Sequence, residues 1–104
     1  MKTIITSTGN KVNSDFDLRF GRAGWFCLLD EESGKIAFYE NEYKDAMQGA
    51  GSKVVEKVAD LGVGKVISGD FGPKAKELLD RLNIQMVILT DNSLTVKDII
   101  HKIK

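Results

Sequence analysis

The stretch Lys65–Lys76, KVISGDFGPKAK, constrains the fold of this chain more than any other. Val66 and Ile67 are the centre of a short apolar run that Gly69, Asp70, Phe71 and Gly72 interrupt. Pro73 suits the first position of a helix, where its φ is already set and its missing N–H has no intrahelical partner to lose. Ala75, Leu78, Leu79 and Leu82 follow at i, i+3, i+4 and i+7, the spacing of one buried helical face. The stretch therefore reads as strand, glycine-bounded turn and helix. Such a turn leaves N–H groups free at the positive end of a helix dipole, which favours an anion. A plain tight connection that binds nothing has the same local pattern.

The remaining elements follow in order. Met1–Thr8 is rich in β-branched residues and reads as a first strand ending at Gly9-Asn10. A polar segment, Lys11–Asp17, leads by way of Phe20-Gly21-Arg22-Ala23-Gly24 to an apolar second strand, Trp25–Leu29. Asp30–Lys35 carries Gly34 as a turn residue, and Ile36–Tyr39 returns as the second arm of a hairpin. Gly49-Ala50-Gly51-Ser52 precedes a helix with apolar Val54, Val55, Val58, Ala59 and Leu61, closed by Gly62. Met86–Leu89 reads as a buried strand. Thr95 caps a last helix, with Asp98 as its capping-box partner and Val96, Ile99, Ile100 and Ile103 on one face. The order is β-β-β-α-β-α-β-α, in a single domain over residues 1–104.

That order restricts the topology. The hairpin makes the second strand antiparallel to its neighbours. Right-handed helical crossovers then set the last two strands parallel to the first. An α/β fold results, with helices on the faces of a five-stranded mixed sheet in the order 3-2-1-4-5, which is the ribonuclease H-like arrangement. Ligands in such sheets sit beyond the carboxyl ends of the parallel strands. Thr8–Lys11, Met47–Ser52, Ser68–Lys74 and Thr90–Asn92 are expected to meet there.

Gly9, Gly49, Gly51, Gly69 and Gly72 at this edge are half of the chain's ten glycines. Two helix N-termini, after Gly51 and after Gly72, point at one volume, with Lys53 and Lys74 nearby and Asp70 opposing them. An anion or small-ligand site is expected there, held by Asn10, Met47, Gly49, Gly51, Ser52, Gly69, Gly72 and Lys74. The glycines match neither a dinucleotide fingerprint nor a P-loop. Nuclease chemistry needs clustered carboxylates to hold metal ions, and the first strand, KTIITST, has no acid.

Composition narrows the remaining classes. Lys plus Arg and Asp plus Glu are both 15, so no basic excess points to nucleic acid. Six acids lie between Asp30 and Asp45 against Lys35 and Lys44, a solvated hairpin face. Cys27 is the only cysteine, which excludes an intrachain disulfide and fits a reducing compartment. It reads as a buried, inert thiol, and His101 as an exposed helix-end residue. No Cys/His metal motif or nucleophilic pair is present in the sequence. Trp25, Phe26 and Phe38 read as core, and Phe20 as core or loop lid. The N-terminus lacks a signal-peptide core and no apolar run reaches membrane-spanning length, so a cytoplasmic protein is expected.

Phe20-Gly21-Arg22-Ala23, Gly49-Ala50-Gly51, the step from Gly62-Val63 into Val66-Ile67-Ser68-Gly69, Gly72-Pro73-Lys74-Ala75 with Leu78-Leu79, and Asn83-Ile84 together form an ordered set. This set resembles the dinitrogenase iron–molybdenum cofactor biosynthesis family over nearly the whole chain. The resemblance implies a ribonuclease H-like fold without nuclease activity. It also implies a non-enzymatic binding or carrier protein for an anionic metal cluster, an iron–sulfur or iron–molybdenum cofactor precursor, or for a related oxyanion. A protein partner in a cofactor-assembly pathway is implied too, with no nucleic-acid or membrane partner. Cluster-carrying relatives tend to offer a histidine or cysteine near the site, which the segments named here lack. Binding would then rest on backbone N–H groups, lysine and Met47. The alternative is a protein-interaction or regulatory module without a cluster, which an outward display of Phe20, Phe71 and Tyr43 would favour.

Overall fold

The computed structural model describes residues 1–103. Its elements are β1 (Lys2–Ser7), β2 (Trp25–Asp30), β3 (Ile36–Glu40), α1 (Ala50–Asp60), β4 (Lys65–Ser68), α2 (Pro73–Arg81), β5 (Gln85–Ile88) and α3 (Val96–Ile103). The strands form one mixed sheet in the order β3-β2-β1-β4-β5. β2 runs antiparallel to β1 and β3, while β4 runs parallel to β1 and β5. One hairpin and two helical crossovers produce the expected order.

The twofold alternation of side chains builds a core on each face of the sheet. Ile4 and its register partner Val66 pack with Phe26 under Val54, Val55 and Val58 of α1 and Ala75 and Leu79 of α2. Ile5 and Ile67, one residue along, pack with Cys27 and Leu29 under Val96, Ile99 and Ile100 of α3. Each fully buried side chain of this size contributes about 1.5–3 kcal/mol, an upper estimate because the unfolded chain already covers part of its surface. β1 and β4, buried on both faces, are therefore the rigid centre from which the carboxyl-end loops project.

The periphery departs from the sequence expectation. β5 is an edge strand, so Ile88 is half exposed in a run that reads as buried. Leu82 lies past the end of α2 as its C-cap and is also half exposed. Trp25, the first residue of β2, is half-buried outside both cores, and Phe38 on edge strand β3 only flanks the second. Phe20 is fully buried, which places it in the core. Cys27 is buried, and desolvation pushes its thiol up to about 12, so it stays protonated at neutral pH.

The long connection between β1 and β2 crosses the carboxyl edge of the sheet. Asp17 N–H donates to the Thr6 carbonyl at 3.0 Å, and Gly69 N–H donates to that of Leu18 at 3.1 Å. Phe20 N–H donates to the Asp70 carbonyl at 3.0 Å, closing a short parallel bridge between Arg19 and Asp70. Residues before this crossing lean the other way: Phe16 N–H reaches the Leu94 carbonyl, and the Ser14 and Val12 carbonyls accept from Val96 and Lys97. The crossing divides the edge into an α1/α2 side and an α3 side.

Candidate functional site: a cleft between two helix N-termini

α1 and α2 both begin on glycine. Gly49, the N-cap of α1, has φ 75° and ψ 14°, and Gly72, the N-cap of α2, has φ 75° and ψ 156°. The second conformation is open essentially to glycine alone. No side chain caps either helix. Among the described residues, the N–H groups of Ala50, Gly51 and Ser52 and those of Lys74 and Ala75 find no acceptor. An N-terminus in this state carries roughly half a positive charge.

Both N-termini open on a cleft of about 490 Å³. Gly49, Gly51 and Ser52 line one wall and Asp70, Gly72 and Lys74 the other, with Arg19, Gly21 and Arg22 on the side formed by the crossing segment. The volume falls within the range of small-ligand sites, about 300–1,000 Å³. Gly21 allows the segment to sit down on α1: a Cβ there would lie 3.0 Å from the Gly51 nitrogen. Phe20 and Phe71, with ring centroids 5.2 Å apart, close the floor.

The charged groups of the cleft are fixed to different degrees. Arg19 makes a bidentate pair with Asp17, Nε and Nη2 each 3.1 Å from a carboxylate oxygen. This hydrogen bonding raises the guanidinium pKa above its ordinary value. Arg22 Nη1 donates to the Lys44 carbonyl at 2.9 Å and to that of Ala46. Asp70 opposes the cations, but its Oδ1 accepts the Gly72 N–H at 3.2 Å and is partly engaged in its own turn. Lys74 is exposed, and Lys53 lies over the Tyr43 ring at 5.7 Å.

Of the residues expected at the site, Gly49, Gly51, Ser52, Gly72 and Lys74 come together around the cleft. α1 starts at Ala50, two residues before the start after Gly51 that the sequence suggests, so Gly49 is the N-cap and Gly51 and Ser52 belong to the first helical turn. Gly69 does not line the cleft. A Cβ there would meet Leu18 at 2.9 Å, so its smallness serves the crossing segment. Asn10 lies in the exposed turn after β1 and Met47 is 98% exposed; neither lines the cleft. Thr8–Lys11 and Thr90–Asn92 do not line it either. Thr8 and Leu94 instead pair with residues of the segment before the crossing, which separates both stretches from α1 and α2. Arg19 and Arg22 were not expected as site residues. The sequence signal for Arg22 is its place beside small residues in Phe20-Gly21-Arg22-Ala23, and Arg19 directly precedes that stretch.

Among the described residues no group of three or more His, Cys, Asp and Glu side chains is placed to hold a metal ion. The cleft offers N–H, guanidinium and ammonium donors, which recognise the negative surface of a ligand rather than a bare cation.

Comparison with known proteins agrees with this architecture. The family model described as dinitrogenase iron-molybdenum cofactor matches residues 1–104. An uncharacterized protein of Methanocaldococcus jannaschii is 30% identical over 77 residues, which is 71% of this chain and 65% of that protein's length. The apo form of the orange protein from Desulfovibrio gigas superposes with a TM-score of 0.89 at 27% identity, over 98% of this chain and 85% of its own. A NifB-like protein from Thermotoga superposes with a TM-score of 0.84 at 31% identity, with the same shares covered. With its family model matched from the first residue to the last, the chain belongs to the dinitrogenase iron-molybdenum cofactor family.

Proposed function

We propose that the chain is a non-enzymatic binding or carrier protein for an anionic metal cluster, an iron–sulfur or iron–molybdenum cofactor precursor, or for a related oxyanion. The observation that carries this reading is the convergence of two uncapped helix N-termini, Arg19 and Lys74 on one open cleft. Family membership supports a cofactor-related cargo, and a solved neighbour described as an apo form fits a protein that can be loaded. The cargo arrives with its metals already ligated, because the cleft supplies hydrogen-bond donors and positive charge but no soft ligand. Its hand-over to a protein partner of a cofactor-assembly pathway, in the cytoplasm, completes the reading. Among the described residues no helix is long and apolar enough to cross a membrane.

The fold is read as ribonuclease H-like without nuclease chemistry. β1 has no acid, and Asp70 and Asp91 accept hydrogen bonds from Gly72 and Ser93 within their own turns. Of the three aromatics whose outward display would favour an interaction module, Phe20 and Phe71 are buried and Tyr43 is half-buried, which supports the binding reading over that alternative.

The direct test is anaerobic gel filtration of the protein after incubation with isolated iron–molybdenum cofactor, with iron and molybdenum measured in the protein peak. Molybdate and phosphate serve as controls. Co-elution of both metals at a constant ratio supports the carrier reading. Protein that elutes free of metal at every cofactor concentration contradicts it.

A further inference from the structure

Arg19 is an exposed side chain held by a buried one. Its side chain is 65% exposed, whereas that of Asp17 is 5% exposed. The Asp17 carboxylate accepts four hydrogen bonds, from Arg19 N–H at 3.0 Å, Arg19 Nε and Nη2 at 3.1 Å each, and Gly24 N–H at 3.3 Å. Asp17 is in turn fixed to the sheet. Its N–H donates to the Thr6 carbonyl at 3.0 Å, and its carbonyl accepts the Thr6 hydroxyl at 2.5 Å. That hydroxyl is also 2.8 Å from Ser68 Oγ at the end of β4. Through its backbone, Asp17 is thus tied to the ends of the buried strands β1 and β4.

We propose that Asp17, which lies outside the cleft in a neighbouring recess bordered like it by Arg19 and Arg22, is a positioning residue that holds the Arg19 guanidinium for an anion in the cleft; this rests on the reading of the cleft as an anion site. Of the five N–H donors of a guanidinium, Asp17 occupies two, through Nε and Nη2. Three remain for a ligand, in a plane that the bidentate pair fixes. An oxo- or thio-anion with several acceptor atoms is the ligand class that such a fixed fork selects. Asn41 supports the same loop independently, its Nδ2 donating to the Gly21 and Ala23 carbonyls at 2.9 Å each and its N–H to that of Gly24 at 3.0 Å. The loop therefore keeps a second attachment when the Asp17 clamp is loosened.

Positioning by Asp17 and simple electrostatics act on anion affinity with opposite signs. A carboxylate beside an anion site repels the ligand, so its removal alone would tighten binding. Removal of a positioning carboxylate frees Arg19 and weakens binding. The experiment measures molybdate affinity for the native chain, Asp17→Asn, Arg19→Gln and the double variant. It also records the Arg19 Nε–H resonance of each form that retains Arg19.

Asp17→Asn should weaken molybdate binding by about tenfold, the size of coupling between directly bonded charged partners. Arg19→Gln should weaken it by a similar factor, and the double variant should be no weaker than Arg19→Gln. The Nε–H resonance should exchange slowly with solvent in the native chain and fast in Asp17→Asn. Binding by Asp17→Asn as tight as native or tighter overturns the proposal. So does fast Nε–H exchange in the native chain, which needs no variant to fold. If the native chain binds no molybdate while Nε–H exchange is slow, the anion reading of the cleft fails but the clamp itself stands, so the two failures are distinguishable.

Discussion

The N-termini of α1 and α2 differ from that of α3 in one respect that separates binding from stability. At α3 the first turn is fully engaged. Thr95 N–H donates to Asp98 Oδ2 at 2.9 Å and Asp98 N–H to Thr95 Oγ1 at 3.2 Å, while Val96 and Lys97 reach the carbonyls of Ser14 and Val12. At α1 and α2 a glycine replaces the capping side chain, and no loop carbonyl accepts from the first-turn N–H groups, although Gly21 packs against Gly51. The same fold thus contains a helix end closed for stability and two left open toward a cleft. A glycine at the N-cap forgoes roughly a few tenths of a kcal/mol relative to a Ser, Thr, Asp or Asn cap. Two such ends facing each other, beside Arg19 and Lys74, are the arrangement expected where a ligand supplies the missing acceptor.

The contrast is broken most strongly by making α1 resemble α3. Ser52→Asp places a carboxylate in the first turn of α1, where it should stabilise the helix by about 0.3–1 kcal/mol. The same change should weaken molybdate or cofactor binding at least tenfold, since like charges a few ångströms apart near a surface repel by several times 1.4 kcal/mol. Calorimetric melting and a binding titration of the one variant measure both effects. Their opposite signs are the point, and a variant that binds as the native chain does would remove α1 from the site.

Gly72→Ala acts next. A Cβ would meet nothing within 4 Å, so the cost is conformational, about 1–3 kcal/mol for a non-glycine residue held at this φ and ψ. Denaturant unfolding measures it. A loss well under that range would mean that glycine is not required for the backbone here.

Thr95→Ala should cost about 1 kcal/mol by removing the α3 cap and leave anion affinity unchanged, which unfolding and binding titrations check together. A binding defect in this variant would connect α3 to the cleft and blur the contrast.

The smallest effect is a pH dependence at α3. The Thr95 N–H bond lowers the Asp98 pKa below its ordinary value of 3.8. A lowered folded-state pKa adds stability above the unfolded pKa, and that stability is lost as pH falls through the folded one. The native chain should therefore lose slightly more stability than Asp98→Asn when acidified below 3.8. Parallel acid titrations of the two proteins would contradict the assignment of that bond.

Much of the comparison was readable from local pattern. The i, i+3, i+4, i+7 face after Pro73, the Thr95–Asp98 box and the glycines before α1 and α2 all lie within single turns. The strand order followed because one hairpin and right-handed crossovers leave few alternatives. Arg19, Arg22 and Asp17 were hidden for a physical reason. Arg19 and Arg22 reach the cleft, with Asp17 behind Arg19, because backbone bonds such as Gly69 N–H to the Leu18 carbonyl pull residues 16–20 across the sheet edge, and no local periodicity records a contact over that separation. The same crossing leaves Asn10 outside the cleft although it follows β1 directly. Met47 lies two residues before Gly49 but is solvent-exposed, since proximity in sequence to an N-cap does not set the direction of a loop side chain.

The most direct measurement is an amide chemical-shift titration of the native chain with molybdate at low ionic strength. The account predicts saturable shifts at Ala50, Gly51, Ser52, Lys74 and Ala75, whose N–H groups lack acceptors, and none at Val96, Lys97 and Asp98, whose groups are engaged. Shifts spread equally over all three helix N-termini, or an unchanged spectrum at saturating molybdate and cofactor alike, would contradict it.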